Sequence, residues 1–448
     1  MGAGVSNWHL ARAVACEGEL GVISGTALDT ILIRRLQDGD SGGHMRRALA
    51  AFPFPEMARA VLDEWFIEGG KSSDAAYRVK PLPSVEMSRR EEELLIVANF
   101  VEVYLAKEGH SGLVGINLLE KIQLPTLPSL FGAMLAEVDV VIMGGGIPLG
   151  IPGALDAMAA FKPVELKLNL VSGSKTHEHK LSFHPGTHVP ASMESLKRPA
   201  FFPVIASEVL AKTLLKKGTG RIDGFVVEHY SAGGHNAPPR RDDAYGPKDS
   251  CDPAKIAQLG LPFWLAGGCA SPTQIKEARA LGAHGVQVGT AFACAEESGI
   301  LPEIKAELIE QYRKGELKVI TDFQASPTAY PFKRVEVEAN DKLEARRPCD
   351  LGYLRHIYEK EDGTLGYRCP AAVRKIFVKK GGDAEACDGK RCLCNGLLAT
   401  IGLGQQLRDG QEVQPLVTMG EDWTFMEAML SEGGESYTAA DLISYLRG

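Results

Sequence analysis

His235 is the side chain in this sequence best placed for proton chemistry. It closes the turn Ala232-Gly233-Gly234-His235, which follows the apolar run Gly224-Phe225-Val226-Val227-Glu228. An imidazole titrates near neutral pH, so it can take or give a proton, or polarise a nitro or carbonyl group, without extreme tuning. Gly233 and Gly234 would leave room beside it for a flat cofactor and a substrate. Two more apolar runs end in small residues. Leu261-Pro262-Phe263-Trp264-Leu265 runs into Ala266-Gly267-Gly268, and Gly285-Val286-Gln287-Val288 runs into Gly289-Thr290. Helix-like segments follow both. Such consecutive units let backbone N–H groups approach an anion at the carboxyl ends of adjacent strands. Gly267, Gly268, Gly289 and Thr290 are therefore candidate phosphate contacts, and Thr290 can add a hydroxyl. The bland alternatives are a histidine that only caps its loop and glycines that only serve tight strand–helix packing. Asn117 ends another strand-like run and offers both a donor and an acceptor; read alone, it would also suit a turn.

These residues need a frame of parallel strands. Alternating strand and helix signals run through the first 315 residues, starting with a helix cap at Ser6-Asn7. Strand-like segments fall at 20–24, 113–117, 138–143, 202–206, 224–228, 261–265 and 285–288, and they read as the continuous Val/Ile/Leu runs of strands buried on both faces. That makes seven staves of a (β/α)8 TIM-type barrel. An eighth would precede Ser6, so the first strand is expected to be truncated; a true seven-stave variant is the other reading. Residues 34–90 and 164–199 are insertions into a barrel domain spanning 1–331. The second insertion opens with the alternating strand 164–171 and carries His177, His179, His184 and His188, which read as a solvated loop rather than a metal site. Residues 332–448 form a distinct C-terminal, cysteine-containing extension.

The chain has 448 residues, 45% hydrophobic and 24% charged, as in ordinary globular proteins. A net charge of −8 without a basic run argues against a nucleic-acid surface. The absence of a long apolar stretch or signal-type segment points to a cytoplasmic protein without a membrane partner. Nine cysteines read as thiols or metal ligands rather than a disulfide framework. Five of them, Cys349, Cys369, Cys387, Cys392 and Cys394, lie in the extension, where zinc, an iron–sulfur cluster and free thiols all remain open. No G-x-G-x-x-G with a following acid marks a Rossmann dinucleotide site. Cys269 reads as a small buried thiol rather than a nucleophile.

In order and spacing, several segments resemble the nitronate monooxygenase (2-nitropropane dioxygenase-like) family. They are Gly21-Val22-Ile23-Ser24, Gly115-Ile116-Asn117-Leu118, Val138-Asp139-Val140-Val141-Ile142-Met143, Ala232-Gly233-Gly234-His235, Ala266-Gly267-Gly268 and Gln287-Val288-Gly289-Thr290. The resemblance implies an FMN-binding barrel enzyme, with Met1-Gly2-Ala3-Gly4-Val5 matching a flavin-contacting loop after the first strand. It makes His235 the active-site histidine. Asn117, Glu228, Gly233, Gly234, Gly267, Gly268, Gln287, Val288, Gly289 and Thr290 become cofactor contacts. Family members often carry glutamine where this chain has Glu228, and a carboxylate cannot donate there unless protonated. The implied reaction is FMN-dependent oxidation of an alkyl nitronate by O2 to a carbonyl compound and nitrite, with a small-molecule substrate and a possible homo-oligomer. An NAD(P)H-dependent flavin enoyl-thioester reductase is the rival enzyme class, and a flavin- or metal-binding sensor without catalysis is a third.

Overall fold

The computed structural model describes residues 2–171, 178–241, 244–338, 349–407, 410, 412–430 and 434–448. Seven parallel strands form its central sheet: β1 (Gly21–Ser24), β2 (Val114–Leu119), β3 (Val140–Gly144), β4 (Ala200–Ile205), β5 (Phe225–Glu228), β6 (Phe263–Ala266) and β7 (Gly285–Gln287). They pair in chain order, with registers such as Ser24 opposite Asn117 and Glu228 opposite Ala266. The sheet curls as the expected α/β barrel of TIM type. Parallel neighbours require crossovers, and most of these are helices on the outer face.

The first crossover is the longest. It holds the helices Leu28–Gln37, His44–Ala50 and Pro55–Trp65, which pack on the helix Arg89–Lys107. Ser88 starts that last helix with a capping box, its hydroxyl accepting from Glu91 N–H while the Glu91 carboxylate accepts from Ser88 N–H. Asn7 caps the helix Trp8–Cys16 by accepting from Leu10 N–H. The strand expected at 164–171 forms as Val164–Lys167 and pairs antiparallel with Lys180–Phe183.

His188 corrects the solvated-loop reading of the second insertion. It is buried, stacks on Phe183 and pairs through Nε2 with Glu92 at 2.9 Å. His179 pairs instead with Glu359, also at 2.9 Å, and His184 is exposed. His177 lies outside the described residues. Each of the described three therefore faces different surroundings.

Alternate residues of the strands fill the lower barrel interior, where Phe202 of β4 stacks on Trp264 of β6 with centroids 4.6 Å apart. Among the described residues no strand lies between the edges β1 and β7. Helices Trp8–Cys16 and Ala439–Arg447 pack together near that seam. Chain beyond 332 enters both larger cores, with Leu351, Leu393 and Leu398 in one and Val417, Phe425 and Leu442 in the other. A further antiparallel sheet, which the sequence did not reveal, joins Val319–Asp322, Phe332–Val335 and Gly234–His235. Among the described residues no helix is long and apolar enough to cross a membrane.

Helix Thr126–Leu135 crosses Arg89–Lys107 at Gly132, where a Cβ would stand 2.1 Å from the Ile96 carbonyl oxygen. Relieving that clash requires the helices to part, so Gly132→Ala is expected to cost about 1–3 kcal/mol. A denaturant midpoint unchanged from the parent chain would contradict this account of the crossing.

Candidate active site

The carboxyl ends of the strands open into a cavity of about 580 Å³, well within the range of sites for cofactor-sized ligands. All eleven candidate residues line it: Asn117, Glu228, Gly233, Gly234, His235, Gly267, Gly268, Gln287, Val288, Gly289 and Thr290. Asn117 lies inside β2, which runs two residues past the end expected from sequence, and the others come from the ends of β5, β6 and β7 and the loops after them.

Two successive glycines, Gly267 at φ +92° and Gly268 at φ +70°, turn the chain after β6. A side chain at 267 would be strained by its backbone angle and would also press on the His229 carbonyl at 3.0 Å. The helix Pro272–Ala280 follows, with Ser271 as its cap. After β7, a Cβ on Gly289 would meet nothing within 4 Å, so the space beside its Cα is open. Thr290 Oγ1 accepts from Gly420 N–H at 2.8 Å and keeps its own proton to donate. Small residues and one hydroxyl thus surround a common space at the ends of β6 and β7.

The space beside Gly233 has a different use from the one expected. A Cβ there would lie 2.8 Å from the Met419 carbonyl carbon and 2.9 Å from Gly420 N, so glycine is needed to admit the C-terminal backbone. Gly234 N–H donates to Thr418 Oγ1 at 2.8 Å, and the Thr418 hydroxyl donates to the Lys333 carbonyl at 2.6 Å. The sequence contained no signal for Thr418, Met419 and Gly420, because their role comes from a contact almost two hundred residues away.

His235 sits on the short strand opposite Phe332, edge-on to that ring at 4.9 Å. Its Nε2 is 2.7 Å from Ser326 Oγ, and Ser326 is fully buried with its hydroxyl also 2.8 Å from Thr328 Oγ1. Burial pushes the imidazole pKa down to about 3, so the ring is neutral at physiological pH. Burial acts the opposite way on Glu228 and pushes its carboxyl up to about 7. The carboxylate objection raised by the sequence is thereby reduced, since near neutrality a large fraction of Glu228 is protonated and can donate. Cys269 is raised to about 11 by burial, which fits an inert thiol.

Residues 153–335, which hold the glycine loops, His235 and Ser326, match the model of the nitronate monooxygenase family. Over this stretch the chain is similar to that family. A probable nitronate monooxygenase of Bacillus subtilis (strain 168) is 29% identical over 158 residues, 35% of this chain and 44% of that protein. The chain thus spans less than half the length of that curated relative. Similar solved structures include FabK from Thermotoga maritima (16% identity, TM-score 0.42, covering 76% of this chain and 70% of that one). Nitroalkane oxidase from Streptomyces ansochromogenes is another (14% identity, TM-score 0.43, covering 100% and 92%). A third is the enoyl reductase domain of MlnA from Bacillus amyloliquefaciens (11% identity, TM-score 0.46, covering 100% and 94%).

Two outcomes follow for this cavity under the resemblance to that family. Ser326→Ala removes the hydroxyl beside His235 Nε2, so a flavin enzyme using this ring is expected to lose roughly tenfold in turnover while keeping its flavin. Equal turnover would show that Ser326 does not position the ring. Below its pKa Glu228 can donate, so if it holds a flavin edge, affinity for the flavin is expected to weaken as pH rises from 7 to 8, by up to about tenfold. Glu228→Gln should flatten that profile, and a parallel slope in both proteins by fluorescence titration would exclude Glu228 as the titrating group.

Proposed function

We propose that the protein uses FMN to oxidise alkyl nitronates with O2, giving a carbonyl compound and nitrite. The observation that carries the reading is the convergence of both glycine loops, Asn117, Glu228 and a neutral, hydrogen-bonded His235 on one cavity. The family match over residues 153–335 supports it. When bound, FMN would supply the electron-accepting chemistry that no side chain can.

The chain's own residues bind and orient. Peptide N–H groups at Gly267-Gly268 and Gly289-Thr290 would hold the single terminal phosphate, and Asn117 and Glu228 would meet polar edges of the cofactor. Ser326 holds His235 Nε2, so Nδ1 is the ring atom left for a ligand. A ring whose pKa lies near 3 is a weak acceptor for a proton on neutral carbon. A nitronate arrives already deprotonated, and its negative charge beside the ring offsets part of the burial effect. The site therefore suits nitronate anions better than neutral nitroalkanes.

A second reading, reduction of an enoyl thioester by NAD(P)H, draws on the length of the cavity. Its walls continue from the glycine loops to Lys276, Arg279 and Arg447, which suits a long phosphate-bearing ligand. Nitrite release from a preformed nitronate, set against NAD(P)H oxidation with a crotonyl thioester, separates the two. We expect nitrite, at a rate at least about tenfold above that with the neutral nitroalkane at pH 7. Thioester-dependent NAD(P)H oxidation without nitrite would reverse the assignment. The flavin released on denaturation should chromatograph as FMN; FAD alone would overturn the single-phosphate cradle.

A further inference from the structure

The turn that follows β5 holds a second histidine, His229. It continues the strand by donating its N–H to the Ala266 carbonyl at 2.8 Å, and its own carbonyl accepts from Ala232 N–H at 3.0 Å. That second bond closes the tight turn His229-Tyr230-Ser231-Ala232 directly ahead of Gly233. Tyr230 leaves the turn to stack on Tyr245, with centroids 4.6 Å apart and planes 7° from parallel. Both nitrogens of the half-buried His229 ring meet serine hydroxyls. Nδ1 stands 2.8 Å from Ser231 Oγ, and Nε2 stands 3.1 Å from Ser250 Oγ. A main-chain contact fixes which nitrogen carries the proton, because Ser231 N–H points at Nδ1 at 3.3 Å. A peptide N–H can only donate, so Nδ1 holds the lone pair and the ring proton sits on Nε2, donating to Ser250 Oγ. Burial pushes His229 below its ordinary pKa, which keeps this neutral form at physiological pH. The Ser231 hydroxyl therefore donates to Nδ1. Since Ser231 N–H also serves Nδ1, the hydroxyl can turn its proton to a ligand without leaving that nitrogen unpaired.

Ser231 Oγ lies over the left-handed turn after β6. It is 3.0 Å from the point where a Cβ on Gly267 would stand and 3.7 Å from the same point on Gly268, and all three residues line the cavity. Thr290 lines it from the end of β7. One main-chain segment holds both hydroxyl-bearing residues, since Gly420 N–H donates to Thr290 Oγ1 at 2.8 Å and Glu421 N–H to the Ser231 carbonyl at 2.9 Å. A Cβ on Gly420 would meet the Ser231 carbonyl at 2.7 Å and Thr290 Oγ1 at 3.1 Å, so the two lie close together. The Asp422 carboxylate, which also lines the cavity, accepts from Thr424 and from Gln274 Nε2.

We propose that Ser231 is a further contact for the terminal phosphate of the cofactor, with His229 as its positioning residue. The inference rests on the FMN reading above and adds to it a side chain chosen by geometry alone. Toward a phosphate oxygen at Gly267-Gly268, Ser231 would exchange its neutral bond to Nδ1 for a charge-assisted one, which is the stronger of the two. His229 would keep Ser231 N–H on Nδ1 and the Ser250 hydroxyl on Nε2, so the turn stays in place while one proton changes direction. The hydroxyls of Ser231 and Thr290 would then serve the phosphate together.

The test compares FMN with riboflavin, which lacks the phosphate, by fluorescence titration of the full chain freed of bound flavin. Ser231→Ala is expected to weaken FMN about tenfold and to leave riboflavin unchanged, which also reports an intact fold. His229→Phe keeps a ring beside Tyr230 but removes both nitrogens; it should weaken FMN by about threefold, again without affecting riboflavin. Ser231→Thr retains a hydroxyl and should keep most of the FMN affinity. An equal loss for both flavins in Ser231→Ala would show that the turn acts through the fold, and no loss for either would remove Ser231 from the site. Both results overturn the inference and leave the cofactor reading in place. Tighter FMN binding by His229→Phe would show that His229 competes for the proton, which overturns its positioning role. A parent chain that binds FMN no better than riboflavin overturns the phosphate cradle, and the inference with it.

Discussion

The contact between Gly233 and the Met419–Gly420 backbone is the constraint on which the site depends. It is a main-chain approach that no larger side chain at 233 would permit. Around it, Thr418 holds Gly234 and the Lys333 carbonyl, Gly420 holds Thr290, and Glu421 N–H donates to the Ser231 carbonyl. Loops from β5 and β7 and the strand Phe332–Val335 are thereby joined through one short C-terminal segment. Lys333 strengthens the joint. It is fully buried, and its ammonium meets Glu421 at 2.5 Å and the Thr321 hydroxyl at 2.5 Å. Glu421 is half-exposed, so it is the loss of this carboxylate that would leave the buried Lys333 ammonium without its counter-charge.

Burial then sets the chemistry of the two titratable groups at the cavity. The same loss of water holds His235 in its neutral form and Glu228 partly in its neutral form, although one is a base and the other an acid. The result is little net charge on the two titratable groups beside the glycine loops. Farther out the walls of the cavity carry charge of both signs, at Glu19, Asp422, Lys276, Arg279 and Arg447. Electrostatic interactions in such surroundings are stronger than in water, so few contacts suffice for orientation.

The C-terminal region is part of the same machinery. Tyr353 shows how deeply it enters: its hydroxyl meets Thr30 at 2.6 Å and Asp29 at 2.5 Å, and Asp29 also pairs with Lys80 at 2.9 Å. One tyrosine therefore links the helix after β1, the long first crossover and the chain beyond residue 349. Leu351, Leu393 and Leu398 bury apolar surface against the barrel core, and that burial contributes the larger, non-directional share of the attachment.

The seven strands were legible in the sequence because each is a local apolar run ended by small residues, and parallel order follows from helical crossovers. The glycine loops were legible for a similar reason: a left-handed turn such as Gly267-Gly268 needs glycine locally, whatever packs above it. His235 was found from its place after such a turn. Its neutrality was not, since a pKa depends on how much water the folded chain removes. The sequence also suggested room beside Gly233, but only the tertiary structure showed that backbone from 419–420 fills it. Ser326, Thr418 and the strand Phe332–Val335 carried no local pattern. Their roles come from hydrogen bonds across 91, 184 and about a hundred residues, which chain folding alone brings within reach.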